Sequence, residues 1–178
     1  KQLRHDVYYL GNSIIKDGYS RNHIAVVGVN SYKWAVTYLA ITCSNNVVVP
    51  MDKELTADNM VDILSDSDSC AIFGDKKYIK ELYERKDRLP EYFEEGRALY
   101  KKGVKSLNEV TLDPDAMVSL LFTSGTTGVS KGVCLSMANI CGVINNISGI
   151  VKVYPEDQLI SVLPIHHTYE CTLGFLLV

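Results

Sequence analysis

Apolar residues at the start of the chain recur every three or four positions, at Leu3, Val7, Leu10 and Ile14. Residues with this spacing share one face of a helix, so the pattern predicts an amphipathic helix that ends near Gly18. Shorter, continuous apolar runs follow, and these are typical of strands that are buried on both faces. The first part of the chain therefore alternates between two kinds of element.

Three such runs lie between this helix and the middle of the chain, and helix-length segments separate them. The strands that they predict cover residues 23–29, 47–50 and 70–73. Asn30 and Ser31 can cap a helix over 32–43, and Thr56 can cap the next one. Because strands alternate with helices, we expect an α/β fold with a mostly parallel sheet flanked by helices.

The pattern divides the chain into three parts. Residues 1–75 hold the first βα units. Residues 76–112 form a charged segment that we predict to be helical, and its solvated face suggests no chemistry. Residues 113–178 resume the βα pattern, with a helix that Ser136 can cap. The strands predicted in this last part cover 117–122, 132–135 and 159–163, and its helices cover 137–150 and the residues from 166 onward.

Charge and hydropathy exclude several classes of protein. The 178 residues include 18 Lys and Arg against 21 Asp and Glu, which gives a net charge of −3 with no basic patch. A nucleic-acid-binding surface normally carries such a patch, so we expect no nucleic-acid partner. No apolar run reaches the roughly 18 residues of a membrane span, and the first residues lack the apolar stretch of a secretion signal.

The cysteines favour a reducing compartment. They are five in number, contain no Cys-x-x-Cys spacing and mostly have apolar neighbours in the sequence. We therefore interpret them as reduced core residues of a cytoplasmic protein. The chain begins at Lys1 and ends in the apolar run GFLLV, so we also expect it to belong to a longer protein. The cysteines are Cys43, Cys70, Cys134, Cys141 and Cys171.

The strongest chemical signal is a polar loop after the strand predicted at 117–122. Residues 123–130 contain five hydroxyl side chains and two glycines, and Lys131 follows directly. Hydroxyl groups and the N–H groups of a glycine-rich backbone can donate hydrogen bonds to phosphate oxygens, and a lysine adds positive charge. The pattern therefore predicts a phosphate-binding loop.

Two other interpretations of this loop fit the residues less well. A flexible Ser/Thr/Gly connector would need neither the lysine nor the buried strand before it. The P-loop of nucleotide hydrolases, G-x-x-x-x-G-K-[ST], requires a glycine where Ser130 stands and a hydroxyl residue where Gly132 stands. The P-loop interpretation therefore fails at two positions.

Two segments carry a resemblance to a known family. The segment LLFTSGTTGVSKGV, residues 120–133, resembles the phosphate-binding signature of the adenylate-forming superfamily, to which acyl-CoA synthetases belong. The segment LPIHHTYE, residues 163–170, is similar to the L-P-x-x-H-x-x-E segment of medium- and long-chain fatty acyl-CoA ligases. A weaker likeness runs upstream through Asn30, Ser31 and Trp34 and the segment VVVPMD.

The resemblance implies a set of site residues. His167 would lie near the nucleotide and acyl pocket, and Glu170 would take the acidic position at the start of the following helix; both are candidate catalytic residues. Without this context, a pair of histidines more often marks a capped helix start. Zinc binding by His166 and His167 is disfavoured, because adjacent helical residues point about 100° apart. The residues implied to bind the β- and γ-phosphates are Thr123, Ser124, Gly125, Thr126, Thr127, Gly128 and Lys131.

The same resemblance implies a reaction and its co-substrates. A fatty acid would react with ATP and Mg²⁺ to give an acyl-adenylate, and coenzyme A would then displace AMP. The chain would be part of the large N-terminal domain, with residues missing near position 90. The later motifs of the family have no counterpart before Val178, so this stretch alone is expected to be inactive. The acyl chain length and the thiol acceptor stay open.

A second hypothesis belongs to a different class of protein. The chain could be a non-catalytic nucleotide-binding or scaffold module that retains the phosphate loop. The combination of the loop with the downstream L-P-x-x-H-x-x-E segment favours the ligase, because a scaffold needs neither.

Overall fold

A computed structural model of the chain describes residues 1–89, 94–95, 110–124, 130–154 and 156–178. Five α-helices and six strands lie within these ranges. The helices are Gln2–Lys16 (α1), Tyr32–Cys43 (α2), Ala57–Asp66 (α3), Lys76–Tyr83 (α4) and Met137–Ser148 (α5). The strands are His23–Val27 (β1), Val47–Met51 (β2), Ser69–Gly74 (β3), Glu94–Glu95 (β4), Met117–Ser124 (β5) and Ser130–Ser136 (β6). A 3₁₀ turn covers Lys86–Arg88, and a π-helix covers Glu170–Leu176.

The strands form one sheet in the order β4-β3-β1-β2-β5-β6. The first five strands in this order run parallel to one another, and β6 pairs antiparallel with β5. This mostly parallel sheet flanked by helices confirms the predicted α/β fold.

Both faces of the sheet are covered, which explains the continuous apolar runs of β1 and β2. On one face, Ile24 is buried in a cluster with residues of α1 and α2, among them Ile41. On the other face, Val27 is buried with residues of α3 and α4, among them Leu64. Burying one such aliphatic side chain contributes about 1.5–3 kcal/mol.

Three helices begin at the hydroxyl residues that the sequence predicts. The Ser31 hydroxyl accepts a hydrogen bond from the N–H of Trp34 at 3.2 Å. The Thr56 hydroxyl accepts the equivalent bond from the N–H of Asn59 at 3.3 Å. Ser136 accepts from the N–H of Asn139 at 3.2 Å, and the Asn139 side chain returns a bond at 3.0 Å. Each cap contributes about 1 kcal/mol and fixes where the helix starts relative to the strand before it.

Two predictions of secondary structure are wrong. Glu94 and Glu95 form a short strand instead of a helix, because their main chain pairs with Ala71 and Ile72 at the edge of β3. Residues 159–163 pair with none of the described strands, and Ile160 in this segment is 84% exposed. A short apolar run forms a strand only where its main chain pairs with a neighbouring strand.

The cysteines depart in part from the prediction. All five are free thiols, but Cys134 and Cys141 are exposed and only Cys171 is buried. Cys134 is exposed because it lies on β6, at the end of the sheet order, and Cys141 lies on α5, whose residues are all at least partly exposed. No helix within the described ranges is both long and apolar enough to cross a membrane.

Candidate active site

The predicted phosphate loop joins the two strands of an antiparallel hairpin. Thr123 on β5 lies directly opposite Lys131 on β6, and Ser124 lies opposite Ser130. The Thr123 hydroxyl donates a long hydrogen bond of 3.5 Å to the main-chain oxygen of Lys131. The hairpin therefore brings together the two ends of the predicted loop. Gly125, Thr126, Thr127 and Gly128 lie outside the described residues, as does the side chain of Ser124.

This hairpin stands at the edge of the sheet where ligands of α/β proteins usually bind. Strands β1, β2, β3 and β5 run parallel, so the residues that follow them lie at the same edge. These residues include Asn30 after β1, Asp52 after β2 and Asp75 after β3. Lys131 is exposed, so its ammonium group is accessible to an anion. The arrangement is suited to a charged ligand held mainly by loop residues.

Asn30 binds the segment that leads to the histidine pair. Its Nδ2 donates hydrogen bonds to Ser161 Oγ at 2.8 Å and to the Leu163 oxygen at 2.7 Å. Its Oδ1 accepts a hydrogen bond from the N–H of Ile165 at 3.0 Å. Residues 161–165 are thus attached to the carboxyl end of β1, and the Ile165 side chain is buried in the core below.

His166 faces the end of β2. Its Nε2 lies 3.7 Å from Oδ2 of Asp52. The pKa of His166 is lowered below 6.5, mainly because burial disfavours the imidazolium, while the carboxylate of Asp52 acts in the opposite direction. His166 is therefore partly buried against Asp52, whereas the next residue, His167, is exposed.

His167 is exposed and has a defined orientation. Its Nδ1 accepts a hydrogen bond from the N–H of Tyr169 at 3.3 Å, so in the neutral ring the proton lies on Nε2. Its main-chain N–H donates to the oxygen of Pro164 at 2.9 Å, and its oxygen accepts from Cys171 at 2.9 Å. The imidazole thus presents an N–H donor on the side away from the helix.

Glu170 differs from His167 because it is buried. Its exposed fraction is 5%, and its Oε1 has no hydrogen-bond partner among the described residues. The carboxylate lies beside Gly174, where an added Cβ would stand 2.5 Å from Oε1. Within the described ranges, no hydrogen bond or ion pair joins His167 or Glu170 to Thr123 or Lys131.

An apolar cleft lies between the π-helix and strands β5 and β6. Its empty volume is about 270 Å³, part of it open to solvent. Tyr38 and Cys171 contribute polar groups to a lining that is otherwise mostly apolar. Burial raises the pKa of the Tyr38 phenol far above its usual value and raises that of the Cys171 thiol to about 11. Both groups are therefore neutral near pH 7. Ser119, Leu121, Leu135, Ile140, Thr168, Thr172 and Leu176 complete the lining.

Comparison with known protein families identifies the family of this chain. The sequence model of one family, described as AMP-binding enzyme, matches residues 1–178. The chain belongs to the AMP-binding enzyme family. The resemblance to adenylate-forming enzymes, carried by residues 120–133 and 163–170, is thereby confirmed.

Two proteins with similar sequences are named as CoA ligases. A CoA ligase of Gibberella moniliformis is 30% identical over 158 residues, which cover 84% of this chain and 26% of the relative. Long-chain-fatty-acid–CoA ligase 6 of Mus musculus is 30% identical over 201 residues, covering 91% of this chain and 28% of the relative. The chain thus spans little more than a quarter of these relatives.

A solved structure of another protein has the same fold. The crystal structure of ATP-bound MatB from Rhodopseudomonas palustris superposes with a TM-score of 0.86 over 98% of this chain and 37% of MatB. The two sequences are 21% identical, so the likeness concerns the architecture alone.

The sequence predicts the position of the loop between two strands, but it gives no sign of the contacts that Asn30 makes. Asn30 is predicted as a helix cap and as part of the weaker upstream likeness. The cap is Ser31, and the partners of Asn30 lie 131 to 135 positions further along the chain. No local pattern signals contacts over that separation.

Proposed function

We propose that this chain provides the phosphate-binding part of an ATP-dependent acyl-CoA ligase that activates a fatty acid. In the first step, a carboxylate oxygen attacks the α-phosphorus of ATP; the bond to the bridging oxygen breaks, and pyrophosphate leaves. In the second step, the sulfur of coenzyme A attacks the acyl carbon, and AMP leaves with the electron pair of the broken C–O bond. The thiol proton passes to a base or to solvent.

One observation carries this proposal: Thr123 and Lys131 stand opposite each other at the base of the loop. Phosphoryl chemistry requires positioning and charge neutralisation more than covalent participation by the protein. Lys131 would neutralise the charge that accumulates on the leaving pyrophosphate. The residues proposed to hold the phosphates with it are Thr123, Ser124, Gly125, Thr126, Thr127 and Gly128.

We assign His167 to the region where the carboxylate meets the α-phosphate. Its exposed ring, with the proton on Nε2, can donate a hydrogen bond to an anionic oxygen of the adenylate. Glu170 is assigned to the same region. Its Oε1 is buried without a hydrogen-bond partner among the described residues, which is unfavourable. We propose that a bound group, or residues outside the described ranges, supplies a donor or a cation to this oxygen.

A fatty acid is the proposed substrate, and coenzyme A is the proposed acceptor. Support comes from the names of the relatives, which are CoA ligases and include one for long-chain fatty acids. The free thiols of all five cysteines support a cytoplasmic site for the reaction.

Mg²⁺ is the cation expected to accompany ATP. Among the described residues, no three His, Cys, Asp or Glu side chains gather in a way that could hold a metal ion. We therefore propose that Mg²⁺ would be held mainly by the phosphates of ATP and water, as is usual for this ion.

The test is a pair of assays on the complete protein. Exchange of labelled pyrophosphate into ATP should require a carboxylate, and fatty acids should support it better than aromatic acids or short dicarboxylic acids. Addition of coenzyme A should then release AMP and form an equal amount of thioester. Nucleotide binding without carboxylate-dependent exchange would replace this proposal with the non-catalytic module.

A further inference from the structure

Asn30 uses nearly all the hydrogen-bonding capacity of its side chain on one distant segment. The two N–H donors of Nδ2 reach Ser161 Oγ and the Leu163 oxygen, and Oδ1 accepts from the N–H of Ile165. Asparagine alone matches this set at this length, because aspartate lacks the two donors and glutamine is longer by one methylene group. The side chain therefore acts as a clamp, here called the Asn30 clamp.

The Asn30 clamp is separate from the cap of α2. The cap is the Oγ of Ser31, which accepts from the N–H of Trp34 at 3.2 Å. Removal of the Asn30 amide would therefore leave the start of α2 with its own hydrogen bond. Its effect should be confined to the segment that it binds.

That segment has few other attachments. Residues 159–163 pair with none of the described strands, and Val162 is 76% exposed. Among the described residues, its hydrogen bonds to other elements are those of the Asn30 clamp, and the buried side chain of Ile165 anchors its end. His166, the next residue, contacts Asp52 after β2. Two residues after Ile165 comes His167, whose main-chain N–H is bonded to Pro164 inside the same turn. A shift of the segment would therefore move the imidazole.

We propose that Asn30 is a positioning residue that fixes His167 for the adenylation step. This role rests on the proposed function, because it assigns Asn30 to the same reaction. Asn30 acts through residues 161–165, where it binds the Ser161 hydroxyl and the main chain of Leu163 and Ile165. Displacement of a reacting group by about 1 Å can reduce a rate by about 10²-fold, so loss of the clamp should be visible in kinetics.

The experiment uses the complete protein with Asn30→Ala, and Asn59→Ala, an exposed asparagine on α3, as the matched control. Hydrogen exchange of peptides covering 159–167 should become faster in Asn30→Ala, whereas exchange in α2 should stay as in the wild type. The kcat for carboxylate-dependent exchange, normalised to the folded fraction, should fall at least about tenfold, with the KM for ATP changed less than about twofold.

A double-variant cycle separates positioning from general damage. If Asn30 acts through His167, then Asn30→Ala should cause little further loss in a His167→Ala background. Equal losses in both backgrounds, or a kcat within about twofold of the wild type in Asn30→Ala, would overturn the positioning role. Absence of carboxylate-dependent exchange in the wild type is a different result, because it would overturn the proposed function and this role with it.

Discussion

The carboxylate of Glu170 occupies the space beside Gly174, four residues along the same π-helix. A Cβ at Gly174 would lie 2.5 Å from Oε1 of Glu170 and 2.7 Å from its carboxyl carbon. A larger residue at position 174 would therefore have to displace the Glu170 side chain, whereas the backbone angles of Gly174 do not call for glycine.

The first prediction follows from this contact. Gly174→Ala should lower the free energy of unfolding by about 1 kcal/mol, because the added methyl group must displace the end of a flexible side chain that is 5% exposed. Gly142→Ala is the matched control: no atom lies within 4 Å of its added Cβ, and alanine in a helix should stabilise by about 0.5–1 kcal/mol. Urea unfolding of both variants measures the difference.

A second substitution identifies the cause of the Gly174 effect. Glu170→Ala combined with Gly174→Ala should recover most of the loss, because the clashing carboxylate is gone. Glu170→Gln combined with Gly174→Ala should not recover it, because the amide has nearly the same size. Equal stabilities of the two double variants would contradict the contact.

The second prediction concerns the hairpin loop. Lys131→Ala should lower the rate of ATP–pyrophosphate exchange by about 10²–10³-fold, the usual loss when one stabiliser of transition-state charge is removed. Thr126→Ala should lower it in the same direction. Lys152→Ala is the control, because Lys152 also is exposed but bonds to the main chain of Ser148 at the end of α5. Full exchange in both Lys131→Ala and Thr126→Ala would exclude the loop from phosphate binding.

Features formed by neighbouring residues could be predicted from the sequence, whereas contacts between distant residues could not. Caps such as Ser31 and Ser136 are local, since a hydroxyl residue and the helix that it starts are adjacent in the chain. The pattern that predicts a phosphate-binding loop is local as well. The strand at Glu94 and the attachment of residues 161–165 to Asn30 depend on partners far along the chain. Periodicity cannot reveal such partners, because it reports only which face of an element is apolar.

The third prediction uses the pair formed by His166 and Asp52. Burial lowers the pKa of His166, and the carboxylate at 3.7 Å raises it in part. Asp52→Asn should therefore lower this pKa further, whereas Asp66→Asn, an exposed change on α3, should not. Titration of the histidine signals by NMR measures both. An unchanged or higher midpoint in Asp52→Asn would contradict the pairing.

The sign of the associated stability change follows from the same shift. Because the pKa of His166 is lower in the folded state than 6.5, the unfolded state binds more protons as the pH falls below 6.5. Stability should therefore be fully present above pH 6.5 and decrease as the pH falls toward the folded-state value. Asp52→Asn should extend this decrease to lower pH.

The fourth prediction concerns Asp6, which joins α1 to the start of α2. The Tyr32 hydroxyl donates a hydrogen bond of 2.7 Å to its carboxylate, and His5 and Gln2 add further bonds. Together they lower the pKa of Asp6 from 3.8 to about 2. A lowered carboxyl pKa stabilises the fold above the unfolded value, and this contribution is lost as the pH falls from about 4 to about 2.

Asp6→Asn should therefore destabilise the protein at neutral pH, and the difference from the wild type should shrink between pH 4 and pH 2. Asp66→Asn serves as the exposed control on α3. The direct measurement is the carboxyl carbon signal of Asp6 by NMR, with a midpoint expected at about 2. Tyr32→Phe removes the largest of the causes and should move this midpoint upward. A midpoint near 3.8 in the wild type would mean that the bond from Tyr32 does not form in solution.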